Sequence, residues 1–206
     1  MFLKEEERGL FFKLYFDLLY CANKKHEVVE DFGNSRFPKS INTSQAYLIR
    51  EEIFENPTWI DEYIEDYGEI LNAEEIELVI SWRKHFIHDS FYIMQHLTKY
   101  TVLMRDTDES ETRLYGVTGL NHPISELYEK SALPAMIRGL LLPFNGKIIY
   151  DGIFAGYNLR IGPGIRSTLN SAYKSAKEKF GIIENLPFDK SAIIPVKKNN
   201  AQEVNP

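Results

Sequence analysis

Four residues near the middle of the chain, His85, His88, Asp89 and His96, include a His-x-x-His-Asp run. Imidazole nitrogens and a carboxylate oxygen are metal-ligand types, and at a helix end this spacing would draw them together. The competing reading is a helix C-terminus where imidazoles hydrogen-bond the last carbonyls and favour the dipole. There is a single cysteine, Cys21, and no His-Glu-x-x-His, so a resident metal or cofactor is not expected.

A second group, Arg160-Ile-Gly-Pro-Gly-Ile-Arg-Ser, sets two arginines, two glycines and a serine at the mouth of a helix. Outward-pointing backbone N–H groups at such a terminus attract anions. Gly162 and Gly164 would permit close approach, Arg160 and Arg166 would supply charge, and Ser167 a hydroxyl, making a pocket for phosphate or carboxylate. The run is neither a P-loop nor a dinucleotide fingerprint, because the Lys-Ser/Thr pair and the third glycine are missing. The plain alternative is a strand-to-helix turn shaped by Gly162-Pro163-Gly164 and capped by Ser167 or a backbone carbonyl.

Other reactive types are present without an arrangement. The acid pairs Glu51-Glu52, Asp61-Glu62, Glu65-Asp66 and Glu74-Glu75 alternate with apolar positions and read as solvated helix faces. No Gly-x-Ser-x-Gly marks a nucleophile. Cys21 follows Leu18-Leu19 and reads as a buried thiol. Residues 160–198 carry eight Lys/Arg against three acids. A basic helix face there could meet nucleic acid, although an ordinary solvent face explains it as well.

The elements that must position these residues follow from periodicity. Leu3, Leu10, Phe11, Leu14, Leu18 and Leu19 predict a helix from about Lys4 to Lys24. The stretch Asp31 to Pro38 reads as a loop, and a second helix should run from about Ser44 to Asn56-Pro57 on Ala46, Tyr47, Ile49, Ile53 and Phe54. Thr58 with Asp61 predicts a capped short helix ending at Gly68. Asn72 with Glu75 predicts another, to about Phe86. After His88 the composition turns β-branched and aromatic: Phe91–Met94, Tyr100–Met104 and Arg113–Leu120 read as strands, with a polar turn at 106–111. Asn121–Glu129 should hold one or two helical turns. Asn145-Gly146 between Ala135–Leu142 and Lys147–Tyr150 is a hairpin signal, and Asp151-Gly152 is a second turn or a bulge. Ile165, Leu169, Ala172, Tyr173, Ala176 and Phe180 define a last helix ended by Gly181.

Charge divides along the same line: residues 1–90 hold 10 Lys/Arg against 19 Asp/Glu, and residues 91–206 hold 14 against 11. An acidic front argues against tracking a nucleic-acid backbone. No apolar run reaches the length of a membrane span, and the acidic N-terminus is unlike a secretory signal. The expectation is a soluble cytoplasmic protein.

The run Leu141-Leu-Pro-Phe-Asn-Gly-Lys-Ile-Ile-Tyr-Asp-Gly, then Ile161-Gly-Pro-Gly-Ile and Tyr173-Lys-Ser-Ala-Lys, resembles the closing module of a family of uncharacterised bacterial proteins. The resemblance implies a recurring unit of hairpin, turn and helix and a bacterial or phage-related origin. It brings no catalytic residue. The expected fold is α+β: an acidic N-terminal bundle of about four helices (1–88), and a β-rich module (89–186) forming a small antiparallel sheet or partly open barrel with a closing C-terminal helix. A polar tail (187–206) follows, and the first two parts are expected to share one core. The expected function is non-catalytic interaction or regulation through a protein partner or a second copy. The alternatives are an enzyme or binding protein for an anion at Arg160–Ser167, and weak nucleic-acid binding through the last helix.

Overall fold

A computed structural model describes residues 1–33, 42–105, 112–157 and 159–188. Most of the expected loop at 31–38, the expected turn at 106–111 and the tail beyond 188 lie outside the described residues.

Four helices come first: α1 (Glu5–His26), α2 (Thr43–Glu55), α3 (Thr58–Tyr67) and α4 (Ala73–His85). Helix α1 carries Glu5, Glu6 and Glu7 in its first turn and Lys24, Lys25 and His26 in its last, the order that complements a helix dipole. Asn72 and Glu75 form the reciprocal capping box at the start of α4. The expected Thr58 cap is not made. Pro57 already has helical dihedrals, so Thr58 is the first residue of α3 and its side chain is not at the cap position. Gly68 follows α3 at φ −58°, so the chain runs on into a short 3-10 turn, Gly68–Ile70, rather than reversing.

Strands β1 (Ile87–His96), β2 (Thr101–Arg105), β3 (Arg113–Thr118), β4 (Ala135–Phe144) and β5 (Lys147–Gly156) close on themselves in the order β1-β2-β3-β5-β4. β4 returns through the 119–134 connection, with its short 3-10 turns, to lie beside β1. The spatial order 4-1-2-3 is that of a Greek key. The fold is α+β as expected, but the sheet is mixed rather than wholly antiparallel. Val117 and Thr118 pair in parallel with Ile148 and Ile149, because β4 and β5 form a hairpin and only β5 can reach β3.

Closure depends on β1 serving two neighbours. Ile87 to Ile93 pair with β4, whereas Tyr92 to His96 pair with β2 across a register shift between Ile93 and Gln95. The extra residue bends the strand, as bulges do in small barrels. The β4–β5 hairpin turns at Asn145 (φ 46°) and Gly146 (φ 72°), both left-handed. Asp151-Gly152 is a bulge and not a turn: β5 continues through it while the register shifts opposite Gly139–Leu141, and Gly152 sits at φ 95°.

The alternation of β2 and β3 divides the apolar residues between two cores. Leu103, Tyr115 and Val117 join the main core, which also takes Phe11, Leu14, Ile49, Ile53, Val79 and Trp82 from the helices. Val102, Met104 and Leu114 face outward and are covered by Leu169 and Ala176 of helix α5 (Pro163–Phe180). Burial on α5 begins at Leu169; Ile165, expected in the same stripe, is 56% exposed. Trp82 joins bundle to barrel through its Nε1, which donates to the Pro143 carbonyl at 3.0 Å, and its ring meets Phe11 edge-on. Trp82→Ala is therefore expected to cost about 3–5 kcal/mol. Urea unfolding followed by far-UV circular dichroism and by tyrosine fluorescence should shift as one transition; two separated transitions would mean that bundle and barrel unfold independently.

Candidate functional site

The polar groups that the fold buries are gathered where α1 and α2 meet the barrel. Arg50 occupies the inner stripe of α2, one turn after Ala46 and three residues before Ile53, and is fully buried. Its Nη1 donates to His88 Nε2 at 3.2 Å, and its Nε lies 3.4 Å from Asp151 Oδ2. The Tyr47 ring sits 4.9 Å from the guanidinium carbon. Asp151 Oδ2 also accepts from the Tyr15 hydroxyl at 2.8 Å, and Oδ1 accepts from the Ile153 N–H at 3.2 Å. Arg138 Nε on β4 donates to Glu51 Oε2 at 3.3 Å.

Satisfaction is incomplete. Among the described residues, Arg50 Nε and Nη2 and Glu51 Oε1 have no partner in hydrogen-bond geometry. Glu51 Oε1 lies 2.8 Å from His88 Nε2 and 3.1 Å from Arg50 Nη1, near enough for charge attraction but without an aligned donor. An arginine can only donate and a carboxylate only accept, so the 3.2 Å contact to Arg50 calls for a lone pair on His88 Nε2 and the 2.8 Å contact to Glu51 calls for a proton there. Burial depresses the His88 pKa, with Glu51 pulling the other way and Arg50 and Arg138 adding to the depression. Burial also raises Asp151, against the pull of Arg50 and Tyr15, and holds the Tyr15 hydroxyl well above its ordinary range.

The residues singled out as metal ligands do not converge. α4 ends at His85, so His88 and Asp89 lie on β1, where neighbouring side chains point to opposite faces. His88 turns toward α2 and Arg50, Asp89 lies on the other face, shared with Phe91 and Ile93, and pairs with Arg105, and His96 binds Thr101 Oγ1 and the Tyr128 carbonyl, each at 2.8 Å. Among the described residues, no group of three or more His, Cys, Asp or Glu could hold a metal ion. Cys21 is buried, with its Sγ 3.8 Å from Asp17 Oδ1.

The anion candidates are divided. Arg160, Gly162 and Arg166 line a cleft of about 770 Å³ between the 128–136 segment and the mouth of α5, together with Tyr128, Ser131 and Tyr157. Gly164 and Ser167 are exposed beside it and do not line it. Gly162 is the N-cap and Pro163 the first helical residue, so Ser167 does not cap the helix and the Gly164 and Ile165 amides have no intrahelical acceptor. Arg166 Nη1 donates to the Leu133 carbonyl and braces the cleft wall. The described lining contains no acid. Tyr157 is 41% exposed and its hydroxyl is bonded to Ser90 Oγ at 3.1 Å.

A different cavity, of about 370 Å³, lies between α1, the β5 bulge and the 119–127 connection, walled by Phe12, Phe16, Leu19 and Leu120. The Asp151 side chain is fully covered, so its carboxylate does not open into that space.

No family model matches the chain, and no curated protein and no solved structure matches it either. Among the described residues, no helix is long and apolar enough to cross a membrane.

Sequence reasoning named Asp151 and His88 for other roles, read Glu51 as part of a solvated helix face although its side chain is 17% exposed and meets Arg50, His88 and Arg138, and passed over Arg50, Tyr15 and Arg138. The readable signal was Arg50, a charge standing in the apolar stripe of α2. Removing one member of a buried ion pair leaves its partner uncompensated, so Asp151→Ala should destabilise by about 3–5 kcal/mol. The double change Asp151→Leu with Arg50→Met should cost less than that single change when measured by urea unfolding.

Proposed function

We propose that the protein is a non-catalytic regulatory or interaction protein of the bacterial cytoplasm that takes up a small anion, a phosphate or carboxylate, in the cleft beside Arg160. The observation that carries this reading is the cleft itself: about 770 Å³, two arginines in its lining and no acid among the described lining residues. The helix α5 that opens there directs two amides without intrahelical acceptors toward the same end. In the cleft lining, burial raises the Tyr128 hydroxyl pKa and so keeps it protonated, while His88, Asp151 and Tyr15 are engaged around Arg50 elsewhere, which favours binding over acid-base chemistry at the cleft. The family resemblance of the 141–181 segment is part of the same proposal and adds no activity to it.

Nucleic-acid binding is the second reading. Five-stranded Greek-key barrels of the OB type bind oligonucleotides on the outer face of strands two and three and at the loops after strands one and four. Here α5 covers that face through Leu169 and Ala176. At the loops, Tyr100 is bonded to Glu184, and Lys147 to Glu7. What remains is the outward side of α5, where Lys174, Lys177 and Lys179 are exposed. Fold analogy alone does not assign a ligand.

Thermal-shift titration with phosphate, nucleotides and short carboxylates tests the first reading. A ligand at a hundred times its dissociation constant should stabilise by about 2.7 kcal/mol. Arg160→Ala should reduce the shift at least several-fold while leaving the unliganded midpoint unchanged, because Arg160 is exposed. No shift with any anion, or an equal shift in the variant, rejects the cleft; salt-sensitive retention on heparin instead supports the second reading.

A further inference from the structure

One ring nitrogen at the junction of bundle and barrel has two neighbours that require opposite protonation states. His88 Nε2 accepts from Arg50 Nη1 at 3.2 Å, which needs a lone pair, and lies 2.8 Å from Glu51 Oε1, which has no aligned donor. A proton on Nε2 abolishes the first contact and supplies the donor that the second lacks. Arg50 is then left fully buried with Nη1 deprived of its acceptor, in addition to Nε and Nη2. The charged groups facing the ring are Glu51 and Arg50 from α2 and Arg138 from β4. Asp151 of β5 and Tyr15 of α1 stand one contact behind Arg50. Two arginines and two carboxylates balance in this cluster, and a protonated ring whose side chain is 5% exposed adds a third cation.

We propose that the Arg50–His88 contact is a proton-operated latch: protonation of His88 in mild acid exchanges its Arg50 partner for Glu51, lets α2 shift from the barrel and widens the apolar groove between α2 and β5. That groove exists in outline as two cavities of about 370 Å³ each, which share Thr43 of α2 and Ile153 of β5. Leu48, already 50% exposed, stands on its α2 wall. The latch is independent of the anion cleft, which neither α2 nor His88 lines.

The direction of the response follows from linkage. With the latch open, the ring titrates near its ordinary 6.5; with it closed, burial holds the ring lower. Proton uptake therefore favours the open form as pH falls from 6.5 toward the lowered value. Asp151 acts oppositely. Its closed-state pKa is raised above the ordinary 3.8, so its protonation favours the closed form. Opening requires that His88 take up its proton while Asp151 remains ionised.

The apolar dye ANS, added to wild-type protein and to His88→Gln at about pH 7.5 and about pH 5.5, reads the groove. The expected result is a reversible, several-fold rise in wild-type fluorescence at the lower pH with unchanged far-UV circular dichroism, and at most a small rise in the variant. No rise in the wild type, or an equal rise in both, overturns the latch. If His88→Gln does not fold, hydrogen exchange on the wild type decides. After correction for intrinsic rates, protection should fall at 43–55 and 151–156 in mild acid and persist at 163–180. Uniform loss, or no loss, overturns it.

Discussion

A guanidinium with no exposed surface dictates how this molecule is put together. Arg50 sits on the inner face of α2, so every element that packs there must bring it an acceptor or a countercharge. β1 brings His88, β5 brings Asp151, and the next residue of α2 brings Glu51. Tyr15 from α1 then closes on Asp151. Desolvating so many ionisable groups is costly, and what offsets it is mutual attraction within a medium of low polarisability together with hydrogen bonds that are only partly complete. In this network a small displacement of the helices on the barrel leaves a buried charge without its partner.

The barrel supplies those partners because it is closed and bent in particular places. The extra residue in β1 lets one strand pair with both β2 and β4, and its helix-facing His88 falls opposite Leu140 in the β1–β4 register. The second bulge, at Asp151-Gly152, turns the Asp151 carboxylate toward Arg50 and caps the Ile153 amide with the same side chain. Bulges re-aim side chains at the rims of barrels, and here both bulged strands contribute to the same junction. On the opposite face, α5 covers the outward residues of β2 and β3. The bundle and α5 thus flank a small barrel that neither could leave without exposing apolar surface.

Much of this was legible. The four N-terminal helices, the Asn72 capping box, the Asn145-Gly146 hairpin and the last helix all follow from local rules: stripe spacing, capping chemistry and left-handed turn residues. The misreadings have local causes too. Thr58 with Asp61 looked like a cap because the helical dihedrals of Pro57 are not visible in composition. His85, His88 and Asp89 looked clustered because helical spacing was extended past the residue where α4 ends. Of the anion candidates, Arg160, Gly162 and Arg166 line one cleft, while Gly164 and Ser167 do not, since they stand two residues and one residue from Arg166 on a helix that turns about 100° per residue.

The sequence by itself determined the elements, their order and the change of character after His88, because helix and strand periodicities and turn chemistry act over a few residues. Tertiary structure alone decided that β3 meets β5 in parallel and that residues 15, 50, 51, 88, 138 and 151 form one cluster. Those residues are separated by up to 136 positions along the chain. Their meeting depends on which strand edge β4 returns to and on where two bulges fall, and neither leaves a periodic signal in the chain.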